Sequence, residues 1–344
     1  MNIFTEGKIG KLILKNRIIR SAANDHLGDP SGTISSEQIS LYEILAENHI
    51  GMIITGHFGV SAEYRAAFNQ PLISDDSFIS SAALLAESVH RHDGLICGQI
   101  SHAGAKSTGR PFDINSASAK DLAAVIPQFS RAAKRLQRAG YDGVQIHLAH
   151  GYLLSDVLDN TVNRRTDQYG SSPENRFRLV RDVLTAVRET CGDDYCVIVK
   201  LNSNNRTLSD YDDTLKFYAS ELEKCRVDAI ELSGWNFYDF PSEAESYFLR
   251  EALMLGKTVR IPLIPVGGFS SKTAIENALD AGVDFVSCCR AFLCDPDFVT
   301  KLMSGEDRGR CTSCGQCRTL YKTKFRNCIY HPESAALRKL FMAA

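Results

Sequence analysis

The sequence has no apolar run long enough to cross a bilayer, which excludes a membrane-spanning helix. Its amino terminus, Met1-Asn-Ile-Phe-Thr-Glu-Gly-Lys8, lacks the apolar core of a secretory leader. Charge of one sign is scarce as well. The formal net charge is -2 over 344 residues, so neither nucleic acid nor an acidic membrane surface is an expected partner. No Gly-x-Gly-x-x-Gly follows the first strand-like run, which argues against a doubly wound dinucleotide-binding sheet. These absences leave a soluble globular protein, expected in the cytoplasm, with 44% apolar and 23% charged residues. A homo-oligomer is compatible with this composition, and no motif specifies one.

What is present is a regular alternation. Eight β-type runs recur: Ile18–Ala23, Gly51–Gly56, Leu95–Ile100, Val144–Leu148, Val197–Leu201, Ala229–Ser233, Leu263–Gly267 and Phe285–Cys289. Helical patterns lie between them at Ser36–Glu47, Phe78–Arg91, Lys120–Ala139, Glu174–Thr190, Asp212–Cys225, Lys272–Ala281 and Asp297–Met303. Ser77, Ser118 (with Asp121 three on) and Ser271 stand where helix caps belong, and Gly140, Gly192 and Gly282 where helices stop. Strand–helix alternation implies parallel pairing, and eight units predict an α/β fold of the single (β/α)8 TIM barrel type. The expected organisation is a barrel over 1–305 and a short cysteine-rich C-terminal segment over 306–344.

In such barrels the active site lies at the C-terminal ends of the strands, here including Ala22–Asp25, Gly56-His57 and Gln99–His102. The fourth strand runs out into His147-Leu-Ala-His150-Gly-Tyr152. Alternation puts Val144, Ile146 and Leu148 on one face and Gln145 and His147 on the other. Two imidazoles can grip a developing oxyanion, and a phenol can give up a proton. The bland alternative is a pair of core histidines with a packing tyrosine. Gln99 and Lys200 end the third and fifth strands; the lysine could stabilise an anionic ring and the glutamine could hydrogen-bond it, and the alternative is an inward lysine simply paired with a carboxylate. Val266-Gly-Gly-Phe269 leads to a helix opening at Ser271, and Arg290 ends the eighth strand. Glycine N–H groups and a helix amino end favour an anion there, and the alternative is a plain tight turn.

Of the 11 cysteines, Cys97, Cys191, Cys196, Cys225, Cys288, Cys289 and Cys294 are scattered, several as small core residues. Cys311, Cys314, Cys317 and Cys328 form C-x2-C-x2-C-x10-C. In a reducing compartment, clustered thiols point to metal before disulfide. Four thiolates suit an iron–sulfur cluster or zinc, and free thiols are the remaining reading.

Together these residues resemble the old yellow enzyme family of FMN-dependent oxidoreductases, over nearly the whole chain. The most specific stretch is Val144-Gln-Ile-His-Leu-Ala-His-Gly-Tyr-Leu-Leu154, followed by Asn163-Arg-Arg-Thr-Asp-Gln-Tyr-Gly-Ser-Ser-Pro-Glu-Asn-Arg-Phe177. Leu14-Lys-Asn-Arg-Ile18, Gln99-Ile-Ser-His-Ala-Gly104 and Val266–Phe269 also match. The resemblance implies an FMN ring held by Ser21, Ala22, Ala23, Gly56, Gln99 and Lys200, and an FMN phosphate held by Gly267, Gly268, Cys289 and Arg290. It implies that His147 and His150 bind the substrate carbonyl oxygen and that Tyr152 delivers a proton. The activity implied is NAD(P)H-dependent reduction of an electron-poor alkene such as an α,β-unsaturated carbonyl compound, a small-molecule substrate. The alternatives are a flavin amine dehydrogenase and a non-catalytic or partner-dependent electron-transfer flavoprotein.

The sequence departs from the family at Lys200, where an arginine is usual, so the bidentate fork is lost. Cys289 replaces a glycine, Gly170-Ser-Ser172 replaces Gly-Gly-Ser, Asn24 takes a flavin-tuning position, and the loop after His102 is short. The four cysteines resemble the [4Fe-4S] site of the dienoyl-CoA reductases and trimethylamine dehydrogenase, with a slightly shorter last spacer. Those relatives carry further domains that this sequence is expected to lack, so a cluster here implies a redox protein partner or a remnant.

Overall fold

A computed structural model describes residues 2–204, 211–235, 240, 244–317, 328 and 330. The cysteine-rich segment expected over 306–344 therefore falls largely outside the described residues. All eight expected strands form: β1 (Ile18–Arg20), β2 (Met52–Ile54), β3 (Ile96–Ser101), β4 (Gly143–Leu148), β5 (Cys196–Asn202), β6 (Ala229–Ser233), β7 (Leu263–Pro265) and β8 (Val286–Cys288). They pair in parallel in the order β7-β6-β5-β4-β3-β2-β1-β8. A bridge between Val266 and Ser287 joins β7 to β8, and the sheet closes into a (β/α)8 barrel.

Strand alternation divides the core in two. Outward residues such as Val144, Ile146, Val199 and Leu232 pack under the helices in one large apolar cluster. Inward residues Ile19, Met52, Ile54, Cys97, Cys196, Ile198, Ala229 and Ile264 fill the amino-terminal half of the barrel. An antiparallel hairpin, Gly7–Ile9 with Leu12–Leu14, adds Ile9 and Leu14 to that cluster and plugs the barrel bottom. The strand–helix alternation did not single out this hairpin, because no helix follows either arm.

Most helices fall where the periodicity places them, with three differences. The helix expected over Lys120–Ala139 is two helices, Ala119–Ala123 and Ile126–Arg138. Pro127 sits in the first turn of the second, where its missing N–H costs nothing but a helix cannot run through it. Asp75, not Ser77, provides the cap before Ile79–His90, by accepting from the Ser77 N–H. Short helices at Leu153–Leu158, Leu249–Leu255 and Arg290–Cys294 were not expected. The Ser118–Asp121 capping box and the Ser271 cap both form. Gly192 and Gly282 end their helices at φ 85° and 120°, conformations in which glycine is at ease.

Phe129 is fully buried on Ile126–Arg138. Phe129→Ala should lower the unfolding free energy by about 3–5 kcal/mol, the range for an emptied aromatic core site. A urea melt followed by far-UV circular dichroism checks it, and a loss under about 1 kcal/mol would mean the outer core collapses around the gap.

Candidate active site

The barrel mouth opens into a cavity of about 820 Å³, within the usual range for a small-molecule or cofactor site. Its floor is Ser21, Ala22, Ala23, Gln99 and Lys200; one flank is Gly267, Gly268, Cys289 and Arg290; the other is His57, His147, His150, Tyr152 and Trp235. The structure thus brings together every expected site residue of the barrel except Gly56. Gly56 stands behind the floor: a side chain there would meet the Ala23 carbonyl oxygen at 2.7 Å. No Asp or Glu lines the cavity among the described residues.

His147 ends β4 beside Lys200 of β5 in the parallel register. It is 3% exposed, and its Nδ1 has no hydrogen-bond partner among the described residues. His150 and Gly151 follow with φ 64° and 71°. Two left-handed residues in succession turn the chain back, which sets Tyr152 beside His147 with ring centres 4.9 Å apart. His150 is fixed from two neighbouring strands. Its N–H donates to Asn202 Oδ1 at 3.2 Å, and its Nε2 lies 2.8 Å from Ser233 Oγ.

His57, at the end of β2, is a site residue that sequence reasoning placed only at a strand end. Gln70 Oε1 accepts from the Ala66 N–H at 2.6 Å, so the Gln70 amide nitrogen is the group facing His57 Nδ1 at 2.7 Å. Nδ1 therefore accepts, and the proton sits on Nε2, 3.4 Å from the Tyr152 hydroxyl. His57 thus donates toward the phenol oxygen and leaves the Tyr152 O–H to point elsewhere. Burial pulls the His57 pKa down to about 4. Burial also holds His147 and His150 well below the ordinary imidazole value, with Lys200 and Lys106 adding repulsion. All three rings are neutral donors at neutral pH. Lys106 reaches over the mouth, donates to the His150 carbonyl, and lies 5.6 Å from the Tyr152 ring centre and 5.4 Å from that of Trp235.

At the far flank, Gly267 and Gly268 have φ 96° and 79°, and a side chain on Gly268 would collide with the Ser246 nitrogen at 2.6 Å. The Arg290 guanidinium donates to the Tyr247 hydroxyl at 2.6 Å and the Ser313 carbonyl at 2.9 Å. The expectation that the helix opening at Ser271 contributes to an anion site is not met. Ser271 Oγ satisfies the Ala274 N–H and donates to Glu245, and Ser271 does not line the cavity.

The chain beyond the barrel docks on the same flank. The Gly309 N–H donates to the Ser270 carbonyl, and Arg310 binds the fully buried Asp295 through its backbone N–H and its guanidinium. Cys311, Cys314, Cys317, Cys328 and the buried Cys294 surround a second cavity of about 100 Å³. Burial and the neighbouring Asp295 and Cys328 push the Cys294 thiol up from its ordinary value. Cys311 and Cys317 also line the large cavity, so the two spaces share a wall. Among the described residues no three potential ligands are close enough to hold a single metal ion, and no helix is long and apolar enough to cross a membrane.

Comparison with known proteins supplies the identity. The family model for the NADH:flavin oxidoreductase / NADH oxidase family matches residues 2–308. The chain belongs to the old yellow enzyme family. It is 30% identical over 96% of its length to a metal reductase of Desulforamulus reducens, and 28% identical over 91% to an NADH oxidase of Thermoanaerobacter brockii. It spans about half the length of these two relatives, 54% and 52%. Its fold matches the old yellow enzyme homologue of Zymomonas mobilis with a TM-score of 0.80 at 21% identity, covering 97% of this chain and 99% of that one. The family is one of NADH:flavin oxidoreductases.

The neutral histidines make stability pH-dependent. The His57 and His102 pKa values are lowered by burial, to about 4 and about 3, whereas the unfolded chain takes up those protons near pH 6.5. The stabilisation is complete above pH 6.5 and is lost as pH falls toward 4. Urea midpoints should drop steadily between pH 7 and pH 4.5, and less steeply in His102→Asn. A flat profile would mean these rings open to solvent.

Proposed function

We propose that this protein uses FMN and NAD(P)H to reduce an electron-poor alkene conjugated to a carbonyl group. The observation that carries this reading is the convergence of the neutral, buried His147 with His150 and Tyr152, ring centres 5.2 and 4.9 Å from its own, over a floor of Gln99 and Lys200. The cavity fits an anionic cofactor: it has no acidic lining among the described residues, a lysine at the floor and an arginine at one end. Ser21, Ala22, Ala23, Gln99 and Lys200 would hold the ring of FMN, with Gly56 supporting Ala23 from behind. Gly267, Gly268, Cys289 and Arg290 would hold its phosphate. Bound FMN supplies the two-electron chemistry.

The side chains do the rest. His147 and His150 donate to the carbonyl oxygen and stabilise the negative charge that gathers there. Tyr152 hands its proton to the α-carbon, and the N–H of His57 then stabilises the phenolate. Paired neutral imidazoles suit an oxyanion and would do little for an amine.

Cys311, Cys314, Cys317 and Cys328 would hold a [4Fe-4S] cluster. A cavity of about 100 Å³ suits a group of several atoms, whereas zinc draws its sulfurs to about 2.3 Å. The wall shared with the large cavity would let a redox protein partner deliver electrons in place of the nicotinamide.

The cofactor test is spectroscopic. The protein should purify yellow and release FMN, not FAD, on heating. Arg290→Ala should weaken FMN binding by roughly 1.5–3 kcal/mol, read by fluorescence titration of the apoprotein. Unchanged affinity would remove Arg290 from the phosphate site. Anaerobic preparations should contain about four iron and four sulfide per chain, and one zinc without sulfide would overturn the cluster.

The carbonyl grip is tested by stopped-flow. His147→Ala should slow reoxidation of the reduced flavoprotein by cyclohexenone on the order of 10²–10³-fold, as for loss of one oxyanion donor. Reduction by the nicotinamide should change far less. Equal slowing of both halves would mean general damage at the barrel mouth.

A further inference from the structure

Beneath the cavity floor lies a chain of buried polar groups to which the proposed reaction assigns no role. Glu231 of β6 is fully buried, as are Gln145 of β4 and Ser287 of β8. The Ser287 hydroxyl donates to Glu231 Oε1 at 2.6 Å, the Gln145 amide to Oε2 at 3.0 Å, and Lys200 Nζ lies 3.2 Å from Oε2. Gln99 Nε2 donates to Gln145 Oε1 at 2.7 Å, and Lys200 Nζ donates to Ser21 Oγ at 2.7 Å. Glu231, Gln145 and Ser287 do not line the cavity; Gln99, Lys200 and Ser21 do. Each polar group of the floor is thus held, directly or through one neighbour, by Glu231.

The direction of the chain follows from the chemistry of its end. A carboxylate can only accept. Gln145 must therefore turn its nitrogen to Glu231 and its oxygen to Gln99. Gln99 must then turn its nitrogen to Gln145, which frees its carbonyl oxygen for the cavity side. The carboxylate also lies against the ammonium of Lys200. At 3.2 Å the two opposite charges largely cancel each other's field on the cavity side, so the floor presents an ammonium donor whose charge is largely offset.

We infer that Glu231 is the positioning residue of the floor: it fixes the orientation of Gln99 through Gln145 and offsets the charge of Lys200 beneath the flavin. The inference rests on the proposed flavin site. It makes Glu231 a determinant of the relative affinity for reduced and oxidised FMN. An unopposed ammonium favours the anionic reduced flavin; the offset ammonium favours it less.

The test is the midpoint potential of the bound flavin in the purified flavoprotein, read by anaerobic dye-coupled titration. Glu231→Gln should tighten reduced FMN relative to oxidised FMN about tenfold or more, which is a rise of about 30 mV per tenfold for a two-electron couple. Glu231→Asp keeps the charge and should stay within about threefold of the unmodified ratio. In a Lys200→Met background, Glu231→Gln should move the potential little, because a fully buried carboxyl left without its cation takes up a proton and carries no charge to remove. A potential unchanged by Glu231→Gln with FMN still bound overturns the inference, as does an equal shift in the Lys200→Met background. If Glu231→Gln does not fold, Gln145→Leu tests the orientation arm. It should leave the potential near that of the unmodified protein and weaken FMN binding at least severalfold, and unchanged binding would overturn that arm. Failure of the unmodified protein to take up FMN at all would bring down the flavin site itself, a result distinct from any of these.

Discussion

The whole site depends on the parallel register of β3, β4, β5 and β6. Gln99 lies opposite Gln145, His147 opposite Lys200, Lys200 opposite Glu231, and Asn202 opposite Ser233. Side chains alternate with a period of two, so slipping one strand by one residue would turn all of its inward groups out under the helices. The register is held from both sides. Outward, Val144, Ile146, Val199, Leu201 and Leu232 are buried against the helices. Inward, Cys97, Cys196, Ile198 and Ala229 close the apolar lower core. A slip would bury the charges of Lys200 and Glu231 in hydrocarbon, which is prohibitive without a partner.

That constraint explains how a barrel interior tolerates so many polar groups. The middle layer of Gln99, Gln145, Lys200, Glu231 and Ser287 is almost free of solvent, yet each member has a partner within 3.2 Å. A satisfied buried network rigidifies, and a half-satisfied one is costly. One layer higher the rule is broken at a single informative place. His147 keeps a buried nitrogen without a partner among the described residues. An orphan donor or acceptor costs roughly 1–3 kcal/mol, a cost borne in the layer that lines the cavity.

Much of this was legible in the sequence, and the parts that were not share a cause. Short β-type runs, each followed by a helical pattern, marked all eight strands, because a barrel strand is short and its limits are local. The His147–Tyr152 stretch was legible because it is contiguous. Glu231 was not. It sits mid-run in Ala-Ile-Glu-Leu-Ser, where a glutamate reads as a solvated position, and its partners lie on β4, β5 and β8. His57 was visible at a strand end, but its tautomer is set by Gln70, whose own orientation is set by a backbone N–H in a loop. Asp75 displaced Ser77 as the cap because either residue suits the position chemically, and only the backbone conformation decides. Asp295 gave no signal, since its partners Lys301 and Arg310 come from a later helix and from the docked segment.

Two of the cavity's cations, Lys200 and Arg290, are held in opposite ways, and the difference bears on what it binds. Lys200 is opposed by a buried carboxylate from outside the lining. Arg290 is held by a hydroxyl and a carbonyl, which are neutral. An incoming anion therefore meets an almost undiminished charge at the Arg290 end and a largely cancelled one at the floor. The glycine turn at Gly267 and Gly268 lets a ligand come close at that same end. Such a field is suited to a ligand with a permanent negative charge at one end and, at the other, a ring whose charge changes during the reaction. A floor with the full charge of Lys200 would hold the reduced form of that ring too firmly for it to react on, whereas an uncharged floor would leave the negative ring without support. On the proposed flavin reading, the carboxylate behind the lysine would set the site between these limits, from a position outside the cavity lining.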